Sequence, residues 1–423
     1  MPPAKRDSSE PLRVALLSYR SKPHCGGQGI YVRHLSRELA GLGHTVHVFS
    51  GQPYPVLDDG VVLEKVPSLD LYNDADPFRA PPLREWRDWI DVLEVAGMWT
   101  AGFPEPLTFS LRALRELRRR AGDFDVVHDN QTLGYGMLGV NRLRAPLVTT
   151  IHHPISVDRR IELEEARGFQ RLSKRRWYGF VAMQRRVARR LAPILVPSTS
   201  SADDIVREFG VARSRLEVVP LGVDTSVFHP RPELRVPGRV VCVASADSPM
   251  KGVATLLRAT AKVATESDVS LTVVGRPRGD GPTAQLVEEL SLGDVVRFEH
   301  GLSDDELGRL LASAEIAVVP SFYEGFSLPA VEAMASGTPL IASRAGALPE
   351  VGGDAACFVS PGDAEELAQR MLALLGNPRE RDALSSAGLA RVRERFTWRA
   401  VAEATARRYR ESMADVAAAP LPV

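Results

Sequence analysis

The sequence predicts an α/β protein of two doubly wound parallel sheets in series. Short apolar runs alternate with helix-patterned segments, and that alternation starts afresh near residue 239. A Pro-rich stretch, from Pro220 through Pro230, Pro232 and Pro237, separates the two series. The 423 residues suit two domains of ordinary size. They are read as 1–224 and 225–396, followed by a terminal helical segment, 397–423.

The first series opens with 12–17 (LRVALL), an apolar run typical of a buried parallel strand. A loop with Gly26, Gly27 and Gly29 follows. A helical stripe of Tyr31, Leu35, Leu39 and Leu42 then closes at Gly41 and Gly43. Further strands are expected at 45–49, 125–128 and 147–151. Segment 54–106, rich in Pro, Asp and Trp, breaks the alternation and reads as an insertion near a substrate mouth. The second series predicts strands at 239–243, 271–274, 295–298, 316–319 and 339–342, with a helix over 252–263. In the last segment Val401, Thr405, Tyr409 and Met413 form one stripe to bury.

Lys plus Arg equals Asp plus Glu at 53 each, so no basic excess marks a nucleic-acid binder. Three cysteines without a C-x-x-C pair argue against a disulfide framework or thiolate zinc site. No apolar run approaches the ~18 residues of a membrane span, and the polar first ten residues lack a signal-peptide core. A cytoplasmic protein is expected.

The strongest constellation is 321–332 (SFYEGFSLPAVE), which follows an apolar strand. Ser327 suits a helix N-cap and Pro329 a first turn. Free amides at that helix start suit a diphosphate, and Glu324 and Glu332 suit vicinal hydroxyls. Read blandly, Glu332 is a solvated helix residue, but it stands among Ala330, Val331, Ala333, Met334 and Ala335. The glycines at 27 and 29 lack the third small residue of a dinucleotide fingerprint, and no Gly-Lys-Ser/Thr follows; a tight turn explains them as well as phosphate binding does.

Glu324-x7-Glu332 followed by 333–339 (AMASGTP) resembles the signature of the retaining glycosyltransferases of family 4. The resemblance extends to the early Gly loop, to 220–224 (PLGVD) and to Lys251-Gly252. It implies the GT-B fold, in which two Rossmann-like domains face each other across a cleft. It also implies that the C-terminal domain binds a nucleotide sugar, the N-terminal domain binds the acceptor, and the last helix returns to the N-terminal domain. Residue by residue, it implies that Glu324 holds donor-sugar hydroxyls and that the amides of Gly325, Phe326 and Ser327, with Leu328 following, face the sugar and diphosphate. Glu332 would take the ribose, Lys251 the diphosphate, Gly27 would admit the diphosphate against backbone, and His152 would lie near the sugar. Catalytic roles fall to His152, Lys251 and Glu324.

One position departs from the family. An Arg six places before the Lys is usual; here it is Ser245, and Arg276 or Arg20 is the substitute to look for. The adjacent His152 and His153 point to opposite sides of a strand, so one metal cannot easily take both; an imidazole there would be pH-sensitive. The triplets Asp123-Phe124-Asp125 and Asp74-Ala75-Asp76 follow no apolar strand, so no metal and no cofactor is expected. Segment 171–190 is the most basic stretch, and its stripe of Phe180, Met183, Val187 and Leu191 suits a core contact better than a membrane; peripheral contact with the inner face of a membrane is the second reading.

The resulting expectation is a metal-independent, retaining hexosyl transfer from a UDP- or GDP-sugar to a hydroxyl acceptor (small molecule, glycan or lipid). Two alternatives stand beside it: a nucleotide-sugar-binding regulatory or assembly protein, and an NAD-linked oxidoreductase.

Overall fold

The computed structural model describes residues 10–21, 27–73, 76 and 78–418. They divide into two compact units. One holds the described residues through Pro197, with Ser201–Val219 and those from Val401 on; the other holds Ser198–Ser200 and Pro220–Ala400.

In the first unit the strands are β1 (Arg13–Ser18), β2 (Thr45–Ser50), β3 (Val61–Lys65), β4 (Val126–Asn130), β5 (Leu147–Thr150), β6 (Ile194–Val196) and β7 (Leu216–Val218). They form one parallel sheet in the order β3-β2-β1-β4-β5-β6-β7. The second unit contains β8 (Arg239–Val243), β9 (Ser270–Val274), β10 (Val296–Glu299), β11 (Ile316–Val319), β12 (Leu340–Ser343) and β13 (Ala356–Val359). Their order, β10-β9-β8-β11-β12-β13, repeats the pattern of the first six strands. Each sheet reverses its winding between its first and fourth strands. Loops leave that point in opposite directions and open a crevice at the carboxyl ends.

Burial on both faces makes the central strands apolar throughout. In β8, Val241 packs with Val319, Val331, Met334 and Leu340 on one side. Val240 and Cys242 pack on the other with Leu256, Leu257, Met371 and Leu374, from the helices Val253–Val263 and Ala364–Leu375. The period-two alternation of a strand thus feeds two helix layers.

Four strands were not expected. β3 lies inside 54–106, so that segment is not wholly an insertion; as a half-exposed edge strand it mixes Val and Leu with Glu64 and Lys65. β6 and β7 are three residues long, too short for a periodic signal, and β13 is the other sheet's edge. The basic segment 171–190 spans parts of two helices, Gly168–Trp177 and Phe180–Ala188. Met183, Val187 and Leu191 are buried in the first unit's core. The terminal helix Trp398–Ala418 buries Val401, Thr405 and Tyr409, and from Val401 it belongs to the first unit.

Candidate active site

In the second unit the ends of β8 and β9 meet at a cavity of about 640 Å³. Ser245, Asp247, Ser248, Lys251, Arg276 and Arg278 line it, with Pro329 at the start of the helix Leu328–Ala335. Lys251 Nζ lies 2.7 Å from Glu324 Oε1, and Ser321 Oγ donates to the same oxygen at 2.8 Å.

Local backbone sets this triad. Gly252 adopts φ +67, and a Cβ there would sit 2.0 Å from the Pro320 carbonyl oxygen. Only glycine turns the chain so close to the end of β11 while capping the next helix. The Phe322 amide donates to the Met250 carbonyl at 2.8 Å, joining the Lys251 turn to the Glu324 loop. The Glu324 carbonyl accepts from the Ala347 amide at 2.9 Å. Asp247 accepts from the Arg278 amide at 2.7 Å, which holds its carboxyl below the usual range.

Glu332 is half-buried, and among the described residues its carboxylate has no hydrogen-bond partner. Burial, helped by the charge of Asp304, pushes its pKa up to about 7. A solvated helix residue would show no such shift. Ser327 departs from expectation. It stands at the N-cap position with φ 86, yet its hydroxyl makes no capping bond and is buried without a partner among the described residues. Phe326 is core, edge-on to Phe396 at 5.7 Å, so only its backbone is available to a ligand. The Gly325 carbonyl accepts from Ser198 Oγ at 2.6 Å.

Arg276 shares the cavity with Ser245 and Lys251. Arg20 is engaged in the first unit, 3.3 Å from Glu105 and 3.0 Å from the Tyr72 carbonyl oxygen. Of the two substitutes for the missing arginine, Arg276 is the one placed beside Ser245.

The first unit gathers polar groups at the ends of β4 and β5. His152 Nε2 lies 2.8 Å from Asn130 Oδ1, and its backbone amide donates to Gln131 Oε1 at 2.6 Å. Tyr31 meets the ring edge-on at 4.6 Å. Burial, with the neighbouring His153, lowers the His152 pKa to about 4, so this imidazole is neutral at pH 7 and does not titrate there. The expected pH sensitivity is corrected by its desolvation. With Nε2 taken up by the Asn130 side chain, Nδ1 is the ring nitrogen left for a ligand. Beneath it, fully buried His128 contacts Tyr409 Oη at 2.6 Å and Thr150 Oγ1 at 2.7 Å, and Tyr31 Oη lies 3.2 Å from Thr150 Oγ1. His128, Asn130 and Gln131 were missed. The signal was available: β4 ends in His-Asp-Asn, a polar run that a buried strand tolerates only when partnered.

Gly27 opens the helix Gly27–Gly41, while Gly26 and Cys25 lie outside the described residues. Asp123 and Asp125 are paired with Arg120 and Arg13, and Asp74 and Ala75 lie outside the described residues. Among the described residues no group of three His, Cys, Asp or Glu could hold a metal ion, and no helix is long and apolar enough to cross a membrane.

Two family profiles match the chain: Glycosyltransferase Family 4 over residues 25–227, and Glycosyl transferases group 1 over residues 226–391. The chain is 56% identical to an MMP alpha-(1->4)-mannosyltransferase of Mycolicibacterium hassiacum, over 96% of this chain and 100% of that protein. It is 30% identical to a D-inositol 3-phosphate glycosyltransferase of a Nocardioides species, over 98% and 94% of the two chains. Among solved structures, sucrose-phosphate synthase from Thermosynechococcus elongatus superposes with TM-score 0.70 at 24% identity, covering 96% and 100%. Anabaena Alr3699/HepE in complex with UDP superposes with TM-score 0.66 at 17% identity, covering 94% and 99%. The two sheets of repeated order, the Glu324 and Glu332 pair and these relatives together assign the chain to the family 4, group 1 glycosyltransferases, hexosyltransferases of the GT-B fold.

Proposed function

We propose that the protein transfers a mannosyl unit, with retention of anomeric configuration and without a metal, from a GDP- or UDP-sugar to a hydroxyl acceptor. The second unit takes the nucleotide sugar and the first takes the acceptor. The observation that carries this reading is Lys251 paired with Glu324 at 2.7 Å, with Arg276 in the cavity that Lys251 lines; the unpartnered Glu332, two turns into the following helix, adds to it.

When a diphosphate enters, Lys251 and Arg276 neutralise it, joined by amides at the start of the helix Leu328–Ala335. Glu324, no longer bound only to Lys251 and Ser321, accepts sugar hydroxyls. Glu332 accepts the ribose diol, which restores the hydrogen bonds its burial has removed. Cleavage of the sugar–phosphate bond leaves an oxocarbenium-like sugar, and the paired cations hold the leaving charge. The acceptor oxygen attacks the face the phosphate leaves and passes its proton to a phosphate oxygen. His152, uncharged, serves the transferring sugar through Nδ1. The 56% identity to the Mycolicibacterium mannosyltransferase supports the mannosyl unit. Exposed Arg171, Arg175, Arg176, Arg185 and Arg186 in 171–190 support peripheral contact with an anionic membrane face.

A melting screen with GDP, UDP and NAD, followed by donor hydrolysis, tests the reading. GDP or UDP should raise the melting temperature and NAD should not. Stabilisation by NAD alone would return the oxidoreductase alternative. Donor binding without any turnover would return the regulatory one.

A further inference from the structure

The helix Trp89–Trp99 is apolar on both faces. Its inward face buries Ile90, Val95 and Met98 together with Asp91 and Glu94, which are ion-paired with buried Arg112. Its outward face carries Trp89, Val92, Leu93 and Trp99, exposed by 60, 49, 40 and 69%. With Ala96 they form one stripe at helical spacing that contains no charged residue. A surface helix ordinarily turns a polar face to solvent, and a contiguous exposed apolar patch marks an interaction site.

Leu93, Ala96 and Thr100 line a groove of about 540 Å³ together with Phe180 and Met183. Arg176 and Arg186 line it too; Arg176 reaches Thr100 Oγ1 at 2.8 Å and Arg186 reaches Tyr135 Oη at 3.2 Å. Leu172, 63% exposed, stands one turn before Arg176.

We propose that this face docks on the anionic surface of a lipid bilayer, with the stripe of Trp89–Trp99 at the headgroup–acyl boundary and the arginines on acidic headgroups. The inference rests on the reading that the basic residues of 171–190 meet such a surface, and adds the apolar half of the contact. Three features favour a membrane over other occupants. Trp89 and Trp99 lie about 15 Å apart along the axis, and indole suits that boundary. Arginines flank the stripe, and a peripheral anchor needs both apolar burial and charge. The groove has no Asp, Glu, Asn or Gln with which to grip the hydroxyls of a soluble glycan.

The test is co-sedimentation of the full chain with phosphatidylcholine vesicles, with and without phosphatidylglycerol. The wild type should sediment only with the anionic vesicles, and less at high salt. Trp89→Ser/Trp99→Ser should lower partitioning about tenfold or more. Arg176→Ser and Arg186→Ser should each lower it about fivefold. Melting temperature and nucleoside-diphosphate affinity should not change in any of these variants. Loss in the arginine variants with none in the tryptophan variant would leave the basic contact standing and overturn the apolar docking face. No sedimentation of the wild type would overturn both. Light scattering that shows a self-associated wild type and a monomeric tryptophan variant would assign the face to a second copy. An acceptor glycan whose KM rises in the tryptophan variant, with vesicle binding unchanged, would make the groove an acceptor site.

Discussion

Glu332 is the residue whose environment says most about its role. Its carboxyl is desolvated, faces Asp304 and has a pKa of about 7, so in the empty protein it is protonated below neutrality. The folded pKa lies above the ordinary value, so the folded state holds the proton more tightly. Stability from this group is therefore present at low pH and lost as pH rises through 7. Two outcomes follow. Glu332→Gln should raise the melting temperature at pH 8 more than at pH 5.5. Nucleoside-diphosphate affinity, read by calorimetry, should rise from pH 5.5 to 8 more steeply in the wild type than in the Gln variant, where only ionisation of the terminal phosphate remains, because a ribose diol is best accepted by the ionised carboxylate. Equal pH dependence in the wild type and the Gln variant would detach Glu332 from the ribose. Lys251 and Arg276 allow a second test. Lys251→Ala and Arg276→Ala should each lower turnover by about 10²–10³, as for other groups that stabilise developing charge. Full activity in Arg276→Ala would leave Lys251 as the sole side-chain cation beside Ser245.

At the scale of elements, legibility followed burial. Central strands such as β8 and β11 are read from sequence within a residue because both faces are apolar. β3, β7 and β13 sit at sheet edges or carry half-exposed residues, and the three-residue β6, between Pro193 and Pro197, offers no period to read. The Glu324 and Glu332 spacing was legible because one loop and one helix carry it. The His128 and Tyr409 contact was not, since its partners are 281 positions apart and meet only through the fold. That contact ties the terminal helix to the residues around His152. Tyr409→Phe leaves a buried imidazole nitrogen unsatisfied and should cost about 1–3 kcal/mol of unfolding free energy, measured by urea titration. Turnover should fall while the donor KM holds, because Thr150 and Tyr31 lose the group that orients them. An unchanged stability would show that Tyr409 and His128 do not share that bond.

Across the whole molecule, two sheets with the same strand order hold different chemistry at equivalent crevices. The second unit presents cations and an unpartnered carboxylate; the first presents neutral imidazoles and amides fixed by one another. In the proposed function that division separates holding a charged leaving group from handling a neutral sugar. There Lys251, Arg276 and helix-end amides take the place a divalent ion has in metal-dependent transferases, so turnover is expected in its absence. One measurement tests this most directly: the anomeric one-bond carbon–proton coupling of the product, formed from an α-linked nucleotide mannose in excess EDTA. The account predicts an α-linked product formed at an undiminished rate. A β-linked product, or turnover that EDTA abolishes and manganese or magnesium restores, would contradict it.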